Sequence, residues 1–274
     1  MKKIYIIDTW RRIKSTIVTY FSIMLIICLG ISSYLGITFA GKSMKKTGDK
    51  YYSEQKFHDF EITSNLGIGQ EEIKKLKEIT SITNLEGVYK TTGFLKMEKE
   101  NRLVTIQSIT NDVDIAKLIS GKIPIKENEI AIEKVMAGED KISIGDYIDI
   151  DSLNEYKTST LLKSKFKVVG IVEHPTYACN YVYGRRGISE KGNGNSLNFF
   201  LVSEKAFNKD QLGEKYQSAL LWSDELDKLS CFSNEYKKQS KKIEEEISKV
   251  QKQLTILNRE SMLVIKCIRI MQMD

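Results

Sequence analysis

Residues Ser15 to Gly41 form a run of 27 positions without one charged side chain. Its middle is dense in apolar groups, from Ile17, Val18 and Phe21 through Met24, Leu25, Ile26 and Ile27 to Leu35, Ile37 and Phe39. A bilayer core about 30 Å thick is crossed by about 20 largely apolar residues in a helix. In lipid every backbone amide must be satisfied within its own segment, so the run is expected to be helical despite its β-branched residues. Everything downstream is then tied to a membrane at one point.

A cleaved signal peptide has an apolar core of about 7–15 residues and a small-residue cleavage site. This run is longer, and Phe39-Ala40-Gly41 fits such a site poorly. The length favours a retained transmembrane helix over residues 15–41. Lys2, Lys3, Arg11, Arg12 and Lys14 precede it, and Lys42, Lys45, Lys46 and Lys50 follow it. By the positive-inside count the two sides nearly balance, and the shorter N-terminal tail, residues 1–14 with the Arg11-Arg12 pair, is expected on the cytoplasmic side. Residues 42 onward are then extracytoplasmic, and the chain is a single-pass protein of the plasma membrane.

Of 274 residues, about 230 follow the apolar run, enough for one good domain and an extension. The net charge of +6 is spread along the chain rather than gathered with aromatics. No nucleic-acid face is indicated. Lysines flanking an apolar helix instead suit anionic head groups, which makes the lipid bilayer the first partner. Cys28, Cys179, Cys231 and Cys267 show no paired spacing, so neither a zinc site nor a disulfide framework is indicated.

Beyond the helix, residues 42–56 are polar and are expected to continue it. Phe57–Thr63 reads as a strand, Asn65–Gly69 as a turn and Glu71–Ser81 as an amphipathic helix. Val88–Met97 and Leu103–Ile109 read as a hairpin with a charged tip, and Val113–Ile119 as a short helix ending at Gly121. Strands follow at Glu129–Glu133, Tyr147–Ile150, Phe166–Val172, Leu197–Val202 and Ser218–Trp222, with a Gly/Tyr/Asn-rich loop over 174–196. Phe166–Val172 is nearly all apolar, as a central strand covered on both faces would be. Strands and short helices without strict alternation give an α+β, mixed-sheet core over residues 42–222.

From Ser223 the pattern changes. Phe232, Tyr236, Ile243, Ile247, Val250, Leu254 and Leu257 recur largely at three- and four-residue steps among Lys, Glu, Gln and Ser. That is a heptad seam, and it predicts a long helix forming a coiled-coil stalk over 223–260. A lone helix lying on the domain gives the same spacing. Residues 261–274 form a short apolar tail, too short and too charged to span a bilayer, with the chain cut short there as one reading.

No catalytic, cofactor-binding or metal-binding residue is assigned. His58, beside Asp59, and His174, before Pro175, are the two histidines, and no clustered partners suggest a ligand role for either. Gly192-Asn-Gly194 lacks the Lys and Ser/Thr of a phosphate cradle. Glu127, Glu129 and Glu133 could pair for acid/base work, but their alternation is equally that of a solvated strand face. The chain is read as a non-enzyme.

Several blocks, taken in order, resemble FtsX-like ABC transporter permeases with a MacB-type extracytoplasmic core. Asp8-Thr-Trp-Arg-Arg-Ile-Lys14 with Phe21-Ser-Ile23, Leu29-Gly30 and Gly36 resembles their basic entry and first membrane helix. Lys50–Gln55, Asp59–Ser64 and Leu66-Gly67 resemble the opening of the core. Gly121-Lys-Ile-Pro124, Asn128–Ile132 and Ile144-Gly-Asp146 are similar to a G-R-x-P…E-I…G-D signature, with Lys122 in place of Arg. Phe166-Lys-Val-Val-Gly-Ile-Val172 is similar to its F-x-V-x-G-I-V strand. The likeness covers about residues 1–225 and concerns fold rather than reaction. It implies a separate cytoplasmic ATPase subunit whose motion the permease helices carry outward. Such permeases have further membrane helices after the core, and no second long apolar run occurs here, so the resemblance also implies another permease chain or half. The alternative is a membrane-anchored scaffold with no transport activity, binding a helical partner through the stalk.

Overall fold

The computed structural model of the chain describes residues 2–97, 101–151, 159–177, 198–257 and 263–267. The hairpin tip at 98–100, Cys179, Gly192-Asn-Gly194 and residues 268–274 lie outside the described residues. The chain divides into two compact units, Met1–Gly48 and Asp49–Asp274.

The first unit is helical. Helix α1 (Lys2–Ser15) is separated by a bend at Thr16 from α2 (Ile17–Glu54). The carbonyl of Arg12 accepts from Ser15 Oγ at 2.9 Å and from Thr16 Oγ1 at 2.7 Å. Hydroxyls that bond back onto a helix carbonyl in this way favour a bend. The apolar side chains of α2 face solvent on every side, including Ile26, Leu29 and Ile37. A helix that is apolar all round and uncovered by protein calls for a lipid environment. Among the described residues α2 alone is long and apolar enough to cross a membrane. Its last residues, from Asp49, belong to the second unit.

In the second unit, strands β1 (Phe60–Ile68), β2 (Asn84–Val88), β10 (Tyr216–Trp222) and β11 (Leu263–Cys267) form a sheet ordered β11-β1-β10-β2, with every pair antiparallel. With helices α3 (Gln70–Lys77) and α4 (Asn234–Leu257), the chain order is β1-α3-β2, then β10-α4-β11. This is the split β-α-β-β-α-β arrangement of ferredoxin-like sheets. Ile62, Ile73, Leu76, Leu85 and Leu221 share one buried core with Tyr236, Ile243 and Ile247 of α4.

The coiled-coil stalk expected over 223–260 is not found among the described residues: of its seam, Tyr236, Ile243 and Ile247 are buried against the four-stranded sheet and α3. Within the short apolar tail at 261–274, the described residues Leu263–Cys267 form a strand that pairs residue for residue with Phe60–Ser64. Periodicity reports that a helix face is buried and cannot say what buries it.

Strands β3 (Lys90–Leu95), β4 (Arg102–Ser108), β5 (Lys117–Gly121), β6 (Glu129–Glu133), β7 (Tyr147–Asp151), β8 (Lys165–Glu173) and β9 (Asn198–Val202) are inserted between β2 and β10. Their order is β5-β8-β6-β9-β4-β3-β7, and β7 also pairs with β8. That last pairing closes β8, β6, β9, β4, β3 and β7 into a barrel. Alternate residues point inward: Val104 and Ile106, Ile130 and Ile132, Ile148 and Ile150, Phe166 and Val168, Phe200 and Val202. Each such side chain contributes about 1.5–3 kcal/mol on burial. Gly93 leaves room in this interior, since a Cβ there would stand 2.9 Å from Ile150 Cγ2.

Two further expectations are corrected. Residues 113–119 do not form a helix. The amides of Asn111, Asp112 and Val113 all donate to the Glu86 carboxylate, which fixes a turn, and the chain leaves it as β5. Residues 65–69 are not a plain turn either. The strand runs on to Ile68 across an irregularity in which Gly67 takes φ +74°.

Candidate functional site: the exit of the long helix

Helix α2 ends on a Schellman motif. Phe57 N donates to Tyr52 O at 2.9 Å and Lys56 N to Ser53 O at 3.1 Å, with Lys56 left-handed at φ 46°. The hydrophobic contact that accompanies such a cap is Tyr52 stacked on Phe57, ring centres 4.8 Å apart. A lysine stands where glycine is usual, so the turn carries strain of order 1 kcal/mol.

Side chains before and after this cap are fastened within the second unit, to which all of them belong. Asp49 accepts from Ser230 Oγ at 2.6 Å and from Cys231 N at 3.0 Å. Ser53 Oγ donates to Asp227 at 2.6 Å. The carbonyls of Gln55 and Lys56 accept from Ile115 N and Asp114 N at 2.8 and 3.0 Å. Asp59 is fully buried and accepts from Ser223 N at 2.9 Å and from Tyr236 Oη at 2.6 Å. A helix long enough to cross a membrane thus ends in a grip supplied by two distant stretches of chain, 114–115 and 223–236.

At the centre lies a buried polar cluster. Asp114 accepts from His58 N at 2.7 Å through one oxygen; the other lies 2.6 Å from His58 Nδ1 and 2.7 Å from Thr176 Oγ1. His58 and Asp114 are at most 1% exposed. Burial alone depresses a histidine, yet the charge of Asp114 and its hydrogen bond, helped by Glu61 and Asp59, hold His58 above its ordinary value. Burial opposes the charge on Asp114 as well, but His58 keeps that carboxyl below its ordinary value. His174 joins the cluster from the end of β8 and is pushed down to about 4, chiefly by burial, with His58 and Lys90 adding to it. Tyr177 Oη donates to Gln107 at 3.1 Å beside it.

The two histidines, more than 100 residues apart, are brought together here. His58 precedes β1 rather than lying within a strand, and its partner Asp114 was not singled out in the sequence. The signal available was an acidic residue following the apolar Val113 in a turn. The carboxylates Glu127, Glu129 and Glu133 do not converge on a reaction centre. The expectation of a solvated face fails for β6: Glu129 and Glu133 are buried. Glu129 accepts from Lys122 Nζ at 2.8 Å and from the amides of Ile125 and Lys126, and Glu133 from Asn198 Nδ2 at 3.2 Å. Glu127 pairs at the surface with Lys163. Among the described residues no group of three His, Cys, Asp or Glu is placed to hold a metal ion.

No family model and no curated protein matches the chain. Solved structures do. The extracellular domain of the noncanonic ABC-type transporter YknZ from Gram-positive bacteria is 14% identical, covering 66% of this chain and 88% of that one, at a TM-score of 0.39. The periplasmic region of MacB from Actinobacillus actinomycetemcomitans is 13% identical over 76% and 87%, at 0.42. A domain of a permease protein from Porphyromonas gingivalis is 11% identical over 77% and 91%, at 0.42. The chain is thus similar to extracellular and periplasmic domains of ABC-type transporter permeases.

Proposed function

We propose that this chain is a permease-type subunit of an ABC transporter. Helix α2 crosses the membrane once, with α1 on the cytoplasmic side and the unit from Asp49 outside. A separate cytoplasmic ATPase subunit supplies motion, and α2 delivers it to the extracytoplasmic unit. The observation that carries this reading is the continuity of α2 from lipid-suited residues into the grip at Asp49–Asp59.

The placement of the family-like blocks supports it. Lys122 N donates to Val169 O at 2.9 Å, Gly145 N to Val168 O at 2.8 Å, and Lys167 N to Asn128 O at 2.8 Å. Blocks spread over some 50 residues of sequence therefore meet on β8. The rival reading, a scaffold that binds a helical partner through a stalk, loses its surface, because Tyr236, Ile243 and Ile247 are buried.

The test is a pair of single-cysteine variants in a cysteine-free chain, Arg12→Cys and Lys46→Cys, treated on intact cells with a membrane-impermeant maleimide. Position 46 is expected to label at once and position 12 only after permeabilisation. A photo-crosslinker at position 12 is expected to yield an adduct with an ATPase subunit. Labelling of position 12 from outside, or adducts that never include an ATPase, overturns the reading.

A further inference from the structure

We propose that His58, Asp114 and His174 form a proton-operated latch on the exit of α2, closed while His174 is neutral and released when His174 takes up a proton. The inference concerns the grip itself and goes beyond the transport reading.

The geometry has three parts. First, Asp114 ties the exit segment to its own turn: it receives His58 through backbone and ring, while its own amide and that of Ile115 donate to Lys56 and Gln55. Second, both oxygens of Asp114 are already engaged, by His58 and Thr176. Third, His174 is 2% exposed, and its Nδ1 has no hydrogen-bond partner among the described residues; the same holds for His58 Nε2. A proton arriving at His174 Nδ1 finds no acceptor in the closed state, whereas water supplies one once the cluster opens.

The charges around the cluster act in the same sense. His58, Asp59 and Glu61 face it from the exit segment and β1, Lys90 from β3, Asp114 from its turn, and Tyr177 from the residues after β8. Asp114 attracts a proton to His174, while His58 and Lys90 repel it and burial opposes the charge outright. A second imidazolium would compete with His58 for the one carboxylate that closes the grip. His58 acts oppositely: its raised value supports the closed state fully below about 6.5 and loses that support as pH rises, so its hold grows as pH falls from 7.

His174 therefore binds its proton near pH 4 when closed and near 6.5 when hydrated. Taken alone, His174 shifts the closed–open balance by about 20-fold toward open between pH 7 and pH 5, and His58 takes back at most about 4-fold of it. Hydrogen exchange on the full chain in lipid nanodiscs reads this directly. After correction for the pH dependence of intrinsic exchange, the amides of His58, Asp114 and Ile115 are expected to lose about 5- to 20-fold in protection from pH 7 to pH 5. The amides of β6 and β9 should hold theirs. His174→Gln should abolish the loss. Unchanged protection, a loss shared by the whole barrel, or a loss that persists in H174Q overturns the proposal. Should H174Q fail to fold, the ring signals of the two histidines in the native chain decide: titration of His174 near 6.5 without local loss of protection overturns the latch, and titration near 4–5 together with that loss supports it.

Discussion

Lys56 and Asp114 face each other across one backbone hydrogen bond, Asp114 N to Lys56 O at 3.0 Å, and both hold left-handed backbone, at φ 46° and 52°. Neither is glycine, so strain stands on both sides of the contact that secures the end of α2. Lys56 is also held over the Trp222 ring, its Nζ 5.6 Å from the centroid. Replacing Lys56 by Gly removes the strain and forfeits that contact, with a net gain in stability of about 0.5 kcal/mol expected. Lys56→Val is expected to lose about 2 kcal/mol, since a β-branched residue is poorly accommodated there. Denaturant unfolding of the full chain in detergent checks both, and equal stabilities for the two variants would refute the account.

Gly121 and Gly170 are register partners between β5 and β8. A Cβ on Gly121 would lie 2.2 Å from Val169 O, and one on Gly170 would lie 2.3 Å from Lys122 O. Gly121 also takes φ +82°. Both clashes are with backbone, which cannot swing aside. Gly170→Ala is therefore expected to cost about 2–3 kcal/mol or more. Gly138, in the one-turn helix Lys134–Glu139, has open space around it. Gly138→Ala should be neutral or gain up to about 1 kcal/mol. A Gly170→Ala midpoint equal to that of Gly138→Ala contradicts the close approach.

The packing of α4 gives a sharper contrast. Ile247 is fully buried against the four-stranded sheet. Ile247→Ala is expected to cost about 2–5 kcal/mol in the unfolding of the second unit. An outward position on the same helix, Lys241, should cost less than about 0.5 kcal/mol when changed to Ala. If Ile247 instead served a stalk projecting from the unit, its truncation would leave the stability of that unit unchanged.

What the sequence disclosed follows from the range of the forces involved. The uncharged run, the Phe166–Val172 strand and the β3–β4 hairpin are written in neighbouring residues, and each is found. The closure of the barrel depends on β3 meeting β7, more than 50 residues further on, a pairing with no local mark. The fate of residues 223–267 failed for the same reason: the spacing of Tyr236, Ile243 and Ile247 records a covered face, but the cover comes from β1 and α3, more than 150 residues earlier. At the candidate site, His58 and His174 were visible as rarities, while Asp114 was one acid among many. Its contact with His58, from a turn fixed by the distant Glu86, is what marks it out.

Lys122 follows directly on β5, and its Nζ donates to the buried Glu129 at 2.8 Å. That hydrogen bond, joined by the amides of Ile125 and Lys126, brings the Glu129 carboxyl down from 4.5 to about 2. A carboxyl depressed on folding contributes stability that is complete above its unfolded value and is lost as pH falls toward its folded one. For Glu129 the window runs from about 4.5 down to about 2. Because Lys122 is itself largely exposed, solvent screening limits the contribution to about 1–2 kcal/mol. Glu129→Gln is expected to lose that amount at pH 7, and the gap from the native chain should close as pH falls through the window. Lys122→Arg should keep the gap open, because a guanidinium supplies the same donor with a fixed charge. Unfolding midpoints at about pH 7, 4 and 3 decide it, and a gap that stays constant with pH would rule out a charged Glu129 as its source.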